Sequence, residues 1–503
     1  MMIFYENIIL SILYILNILI QKDINMTDNK LYTVLTHFDK IAQNRLRKYV
    51  RSPYFNANET LMALFDIVIN HINKISKGSD LTKEGIWQQL FPKETYNDTR
   101  FRKLFSDLLK LVEDFLAQEV YDDNKLQKTN NLLEAVSTKK LEKLFSSVMR
   151  NSDLAVEKQH YKSADYYYYK YLIEKNYYYL KEEDLKRSEI SNVADIISSL
   201  DEFYLAEKIK WYASMLSRKS LVAHEYKLLF IDEIIEHIQK YGYEHNPIIA
   251  IYFQILLTIL EKDEQLHYYK LIDLLDKHNS QFSQKDLYDF YVHGLNYCIT
   301  KINQGDQKFL EEYHIIYKVM LEKEVIYYAS SNQELSPWTF KNGILAALRL
   351  GHYEWAENYI RNYQHRLPED QRRNAVSFNL ANVYFYQKKY DKATQLLNSV
   401  EYEDIAYNLD SKSILLAMYY EQDEDEVLMS LLDSFKAYLY RHKDISDNKR
   451  IPYMNLMKYV RKLLKLNPGD KKEIAHIRKE MEEDRKVGIA SEKWLLEKLV
   501  ELE

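Results

Sequence analysis

From Met26 onward, apolar residues recur every three to four positions, as in Leu104, Leu108, Leu111 and Phe115 or Ile231, Ile234, Ile235 and Ile238. No stretch alternates with the two-residue period of a half-buried strand. The breaks carry helix-start chemistry. Asn246-Pro247, Ser336-Pro337 and Asn467-Pro468 each place a capping side chain before a proline at the first helical position. The pattern predicts an all-α fold of about twenty helices joined by short loops. Composition agrees: 9 Gly and 7 Pro in 503 residues lie far below the usual roughly 7% and 5%, and loop-rich or sheet folds need those residues at turns.

The segment DYYYYKYLIEKNYYYL, 165–180, carries eight tyrosines. At about 100° per residue, Tyr161, Tyr168, Leu172 and Tyr179 share one face, and two further faces are equally apolar. Only Ser163, Lys170, Glu174 and Lys181 form a polar stripe. Such a helix is expected to be packed on most sides. Tyrosine in place of phenylalanine leaves its hydroxyls reaching water or backbone.

VSFNLANVYFYQKKYDKATQLLNSV, 376–400, places Leu380-Ala381 and Tyr384 on one predicted helix and Tyr390, Ala393 and Leu397 on the next. This resembles a tetratricopeptide repeat. Residues 337–370 match more loosely through Phe340, Gly343-Ile344, Gly351, Tyr353, Ala356, Ile360 and Pro368. The pairs Tyr353/Ala356 and Tyr390/Ala393 lie 37 residues apart. Leu416-Ala417 with Tyr420, and Gly294 with Tyr297, echo the first helix of such a unit. The resemblance implies an α-solenoid of helical hairpins in which small residues let helices approach and large ones fill the groove. The expected organisation is an apolar extension over 1–25, a helical N-terminal domain over 26–150, a tetratricopeptide-like solenoid over 151–440 and closing helices over 441–503.

Candidate chemistry is sparse. The sequence contains no GxGxxG, GxxxxGK, GxSxG or HExxH, and no two histidines three or four apart. Cys298 is the one cysteine, so no intrachain disulfide forms, and on an apolar helix it is expected to be a buried structural thiol. His293 is five residues away, on a different face. Glu-x-x-His occurs at Glu157/His160, Glu264/His267, Glu311/His314 and Glu473/His476. Inward-facing pairs of this kind hold di-iron centres in helical bundles. Here charged neighbours place them on solvated faces. No catalytic, cofactor-binding or metal residue is assigned, and no cofactor is expected.

Residues 81–116 resemble the helix-turn-helix part of winged-helix regulators, with Trp87, Leu90-Phe91-Pro92, a polar turn, then Leu104, Leu108 and Val112 facing inward. By that resemblance Arg100, Arg102, Lys103 and Lys110 would face phosphates. Asp107 and Asp114 share their outer face, and polar AQEVYDDNKLQKTN stands where a wing would follow. Over 452–467, Tyr453, Leu456, Met457, Val460, Leu463 and Leu464 form an apolar face, with Lys458, Arg461, Lys462 and Lys465 mostly opposite. That pattern fits a late solenoid helix, or a lipid-surface or acidic-partner helix. The acidic run 421–426 is expected to open a helix.

Net charge is -6, so no global field draws nucleic acid or anionic lipid. The apolar run Ile8–Ile20 is 13 residues long, short of the roughly 20 that span a bilayer, and lacks the basic flank of a signal peptide. Met26-Thr-Asp-Asn would make a natural soluble start, so 1–25 is expected to be a start-site artefact of a cytoplasmic protein, with a membrane anchor through 3–20 as the alternative. The expected function is a non-enzymatic scaffold or adaptor that binds a protein or peptide segment on a concave surface. The alternative is a DNA-binding regulator using 81–116. The repeat pattern itself assigns no binding residue, because such grooves differ by surface composition.

Overall fold

A computed structural model describes residues 29–74, 81–159, 161–181, 191–219, 227–330, 332–398, 405–443 and 445–503. Among them lie twenty-three α-helices and no strand. In chain order they are α1 (Lys30–Thr36), α2 (Lys40–Val50), α3 (Glu59–Lys74), α4 (Lys83–Leu90), α5 (Asp98–Asp123), α6 (Lys125–Thr138), α7 (Glu142–Glu157) and α8 (Ala164–Lys181). Next come α9 (Val193–Lys219), α10 (Ile231–Tyr241), α11 (Pro247–Leu260), α12 (Leu266–His278), α13 (Gln284–Asn303), α14 (Lys308–Glu322), α15 (Pro337–Arg349) and α16 (Tyr353–Tyr363). The last are α17 (Glu369–Tyr386), α18 (Tyr390–Asn398), α19 (Ile405–Glu421), α20 (Asp425–Arg441), α21 (Asp447–Leu463), α22 (Lys471–Asp484) and α23 (Glu492–Glu501). The apolar run 8–20 lies outside the described residues. No helix among those described is long and apolar enough to cross a membrane.

The described residues form two units: those up to 159 with those of 168–199, and those of 161–167 with those from 200 onward. In the first, Asn29, Asp39, Thr82, Asn97 and Asn124 cap the helices that follow them, each accepting from a first-turn backbone N–H. The inward stripes of α1 to α5 then share one core, including Leu46, Phe65, Val68, Trp87, Leu108 and Val112. The tyrosine segment corrects its expectation. Tyr167 and Ile173 are buried, but Tyr168 and Tyr179 are exposed, so their face meets solvent, and Tyr161 precedes the helix. Its polar contacts are specific: Asn124 donates to the Tyr169 hydroxyl at 3.2 Å and Asn176 to Asn130 at 2.8 Å.

The second unit is a solenoid of helical hairpins: α11/α12, α13/α14, α15/α16, α17/α18 and α19/α20, followed by α21 to α23. The first helices of successive hairpins pack together, as α15 on α17, α17 on α19 and α19 on α21. Each unit therefore touches its neighbours, the one-dimensional logic of repeat arrays. Asn246 and Ser336 cap α11 and α15 with proline at the first turn, as expected. Asn467-Pro468 does not. It forms a turn, and Asp470 caps α22 by accepting from Glu473 N–H. Asp425 and Glu426 open α20 as the acidic run predicts, while Glu421 closes α19.

Small residues sit where helices approach. Ala356 and Ala393 are fully buried. A Cβ on Gly343 would lie 2.4 Å from two carbons of the Tyr317 ring. That ring cannot easily move, because its hydroxyl donates to Thr339 C=O at 3.0 Å and bonds the Tyr359 hydroxyl at 2.7 Å. Alanine ordinarily improves a helix interior over glycine by roughly 1 kcal/mol. Here overpacking outweighs that gain. Gly343→Ala is expected to lower stability by about 1–3 kcal/mol, read as the urea midpoint. Gly294→Ala is the control, since its Cβ meets only two isoleucine methyls at 3.2 and 3.8 Å, and should be near neutral.

Candidate partner-binding surface

The stretch of α9 from residue 200 onward buries Leu205, Ala206, Ile209, Tyr212 and Ala213 in the solenoid core. Their spacing defines one helical face. The opposite face presents Tyr204, Glu207, Lys208, Trp211 and Met215, again at three- and four-residue intervals. With Leu229 they line an open recess of about 310 Å³. The Tyr212 hydroxyl donates to the Leu229 carbonyl, which holds the segment before α10 beside this face.

Four large apolar side chains stay in water here: Tyr204 is 42% exposed, Trp211 58%, Leu229 62% and Phe230 61%. The Trp211 and Tyr204 rings make polar contacts. The Trp211 indole N–H donates to Glu207 at 2.7 Å, and Lys210 meets the other oxygen of that carboxylate at 3.4 Å. The Lys208 ammonium lies over the Tyr204 and Tyr212 rings at 5.7 and 5.3 Å. Phe230 has φ of +65°, a left-handed conformation that costs an L-residue roughly 1–2 kcal/mol.

The sequence-nominated residues fall elsewhere. Arg100 stacks on Phe91 at 4.0 Å and pairs with Glu94 at 2.6 Å, and Arg102 pairs with Asp98 at 2.7 Å. Two of the four cations are thus engaged by carboxylates, and helix α6 occupies the place of a wing. Lys103 and Lys110 are exposed. Duplex DNA of mixed sequence is expected to bind weakly at low salt and not at physiological salt. Changing Arg100, Arg102, Lys103 and Lys110 to Gln should alter this little. Tight binding that falls steeply with salt and vanishes in the variant would promote the regulator reading.

Cys298 is fully buried, with its thiol 3.5 Å from the Tyr268 hydroxyl, and burial pushes it up to about 12. Among the described residues the Glu-x-x-His pairs form no cluster of three or more ligating side chains. His160 lies outside the described residues. His267 bonds Gln254 and Glu261, and His476 pairs with Glu480. His314 corrects the solvated-face expectation: it is 2% exposed, because α16 stacks on it through Trp355. Its charged neighbours in sequence, Glu311 and Glu312, lie on another face.

The basic helix is likewise resolved by its neighbours. Helix α21 starts at Asp447 and buries Leu456, Met457, Tyr459, Val460 and Leu463. Lys458 pairs with Asp484, Lys462 with Glu480 and Arg461 with Asp433. The cations meet carboxylates of α20 and α22, so this is a packed solenoid helix.

Sequence reasoning missed Tyr204, Trp211 and Leu229. Helix α9 carries apolar residues around its whole circumference, so no polar stripe marked the outer face. A tryptophan three and four residues from Lys208 and Glu207 was the available clue. No family model, curated protein or solved structure matches the chain.

Proposed function

We propose that this chain is a non-enzymatic protein-interaction scaffold whose tetratricopeptide-like array binds a partner segment. The observation that carries this reading is the water-exposed aromatic recess of Tyr204, Trp211 and Leu229. Tryptophan and tyrosine dominate binding energy at interfaces because they bury much area with few rotamers to fix. The glycine and alanine positions at helix crossings, and the 37-residue offset of the two Tyr-x-x-Ala pairs, support the kinship of the repeats. A reducing cytosolic setting suits the lone buried thiol of Cys298.

The test is affinity capture from native lysate, followed by reconstitution with each captured protein in purified form. One partner is expected to form a stoichiometric complex whose affinity falls at least about tenfold in Trp211→Ala. The melting curve should not change, since Trp211 is mostly exposed. Failure to reconstitute any stoichiometric complex would overturn the reading.

A further inference from the structure

We infer that the α9 recess takes a linear protein segment in which a large apolar side chain is flanked by carboxylates. This rests on the scaffold reading and adds the chemistry of the partner. The recess is small and open, at the lower end of the roughly 300–1,000 Å³ of ligand pockets, so it receives a side chain and does not enclose a molecule. Its walls are the Tyr204 and Trp211 rings and Leu229.

Charge selects the flanks. Among the described residues, Glu207 is the one carboxylate lining the recess, and both of its oxygens are engaged, by the Trp211 indole N–H and by Lys210. Lys208 and Lys227 line the same recess, and neither forms an ion pair among the described residues. An incoming carboxylate meets the Lys208 and Lys227 ammonium groups beside an apolar wall. A basic segment meets repulsion there. Phe230, next to Leu229 in the chain, is also exposed and extends the apolar surface; its left-handed backbone opens α10, where its carbonyl accepts from Ile234 N–H.

The experiment uses the full chain and a displayed library of random twelve-residue peptides, with Trp211→Ala as the counter-selection. Peptides that depend on Trp211 are expected to share an aromatic or leucine residue within two or three positions of Asp or Glu. A labelled synthetic copy of the most enriched peptide should bind Lys208→Glu/Lys227→Glu at least about tenfold more weakly, the sum of two exposed ion pairs reversed. The same peptide with its acidic residues changed to Lys should prefer that variant over the wild type. Melting curves establish that both variants fold. Winners that are basic, winners indifferent to the two lysines, or no Trp211-dependent winner would each overturn the inference. The scaffold reading fails separately, through the absence of any stoichiometric protein partner in reconstitution.

Discussion

Lys498→Met is expected to destabilise the C-terminal end of the solenoid by about 3–5 kcal/mol, the usual consequence of stranding one member of a buried ion pair. The Lys498 ammonium lies 2.6 Å from Glu421, with the two side chains 8% and 13% exposed. Glu421 also accepts from the Trp494 indole N–H at 3.0 Å and the Tyr390 hydroxyl at 3.1 Å. One carboxylate thus ties α18, α19 and α23 together. Burial alone would raise its pKa, but the bonds from Lys498, Trp494 and Tyr390 outweigh that and hold it below the ordinary 4.5. A depressed carboxylate contributes stability above its unfolded pKa and loses it as pH falls through the lower folded value.

With methionine at 498, the charge on Glu421 has no counterion and its desolvation is uncompensated. Lys498→Met/Glu421→Gln should recover most of the loss, because the neutral amide oxygen still accepts from the Trp494 indole while its NH2 donates to the Tyr390 hydroxyl. The check is a double-mutant cycle on urea midpoints. A Lys498→Met protein as stable as the wild type would mean that Glu421 is solvated and the junction is loose.

The second large effect is on pH dependence. His314 is buried against Trp355 and faces Lys318 and His352. Burial first, then the neighbouring Lys318 and His352, lower it from 6.5 to about 4. Its Nδ1 is buried without a hydrogen-bond partner, so protonation would place an uncompensated charge among apolar groups. The unfolded chain takes up that proton before the folded chain does. Stability is therefore full above the unfolded pKa and falls as pH drops from 6.5 toward about 4.

At 1.36 kcal/mol per pKa unit the full effect is about 3 kcal/mol, of which about 2 kcal/mol is lost between pH 7 and 5. His293, lowered by burial to about 4, acts in the same direction. Urea midpoints of wild type and His314→Phe at pH 7 and 5 test this: the variant should lose markedly less. Equal losses would place His314 in water.

Helix existence, two of the three named capped starts and the hairpin pattern over 337–400 were readable from local chemistry. The 3.6-residue spacing places Leu104, Leu108 and Val112 inward, and Asn246 and Ser336 cap because a side-chain oxygen needs only the next turn's N–H groups. Gly343 stood out in sequence only as an irregular match, and its role emerged once Tyr317 lay against it. Asn467-Pro468 has the same local chemistry as the true caps, yet its chain turns, with Gly469 N–H donating to the Leu502 carbonyl. Whether a polar side chain is solvated or buried depends on which distant helix stacks beside it. Trp355 covers His314, Asp484 and Glu480 meet the α21 lysines, and among the described residues Trp211 stays 58% exposed. Periodicity records that a face exists. Only the stacking of hairpins far apart in sequence decides what that face meets, because burial and ion pairing are properties of neighbours in space.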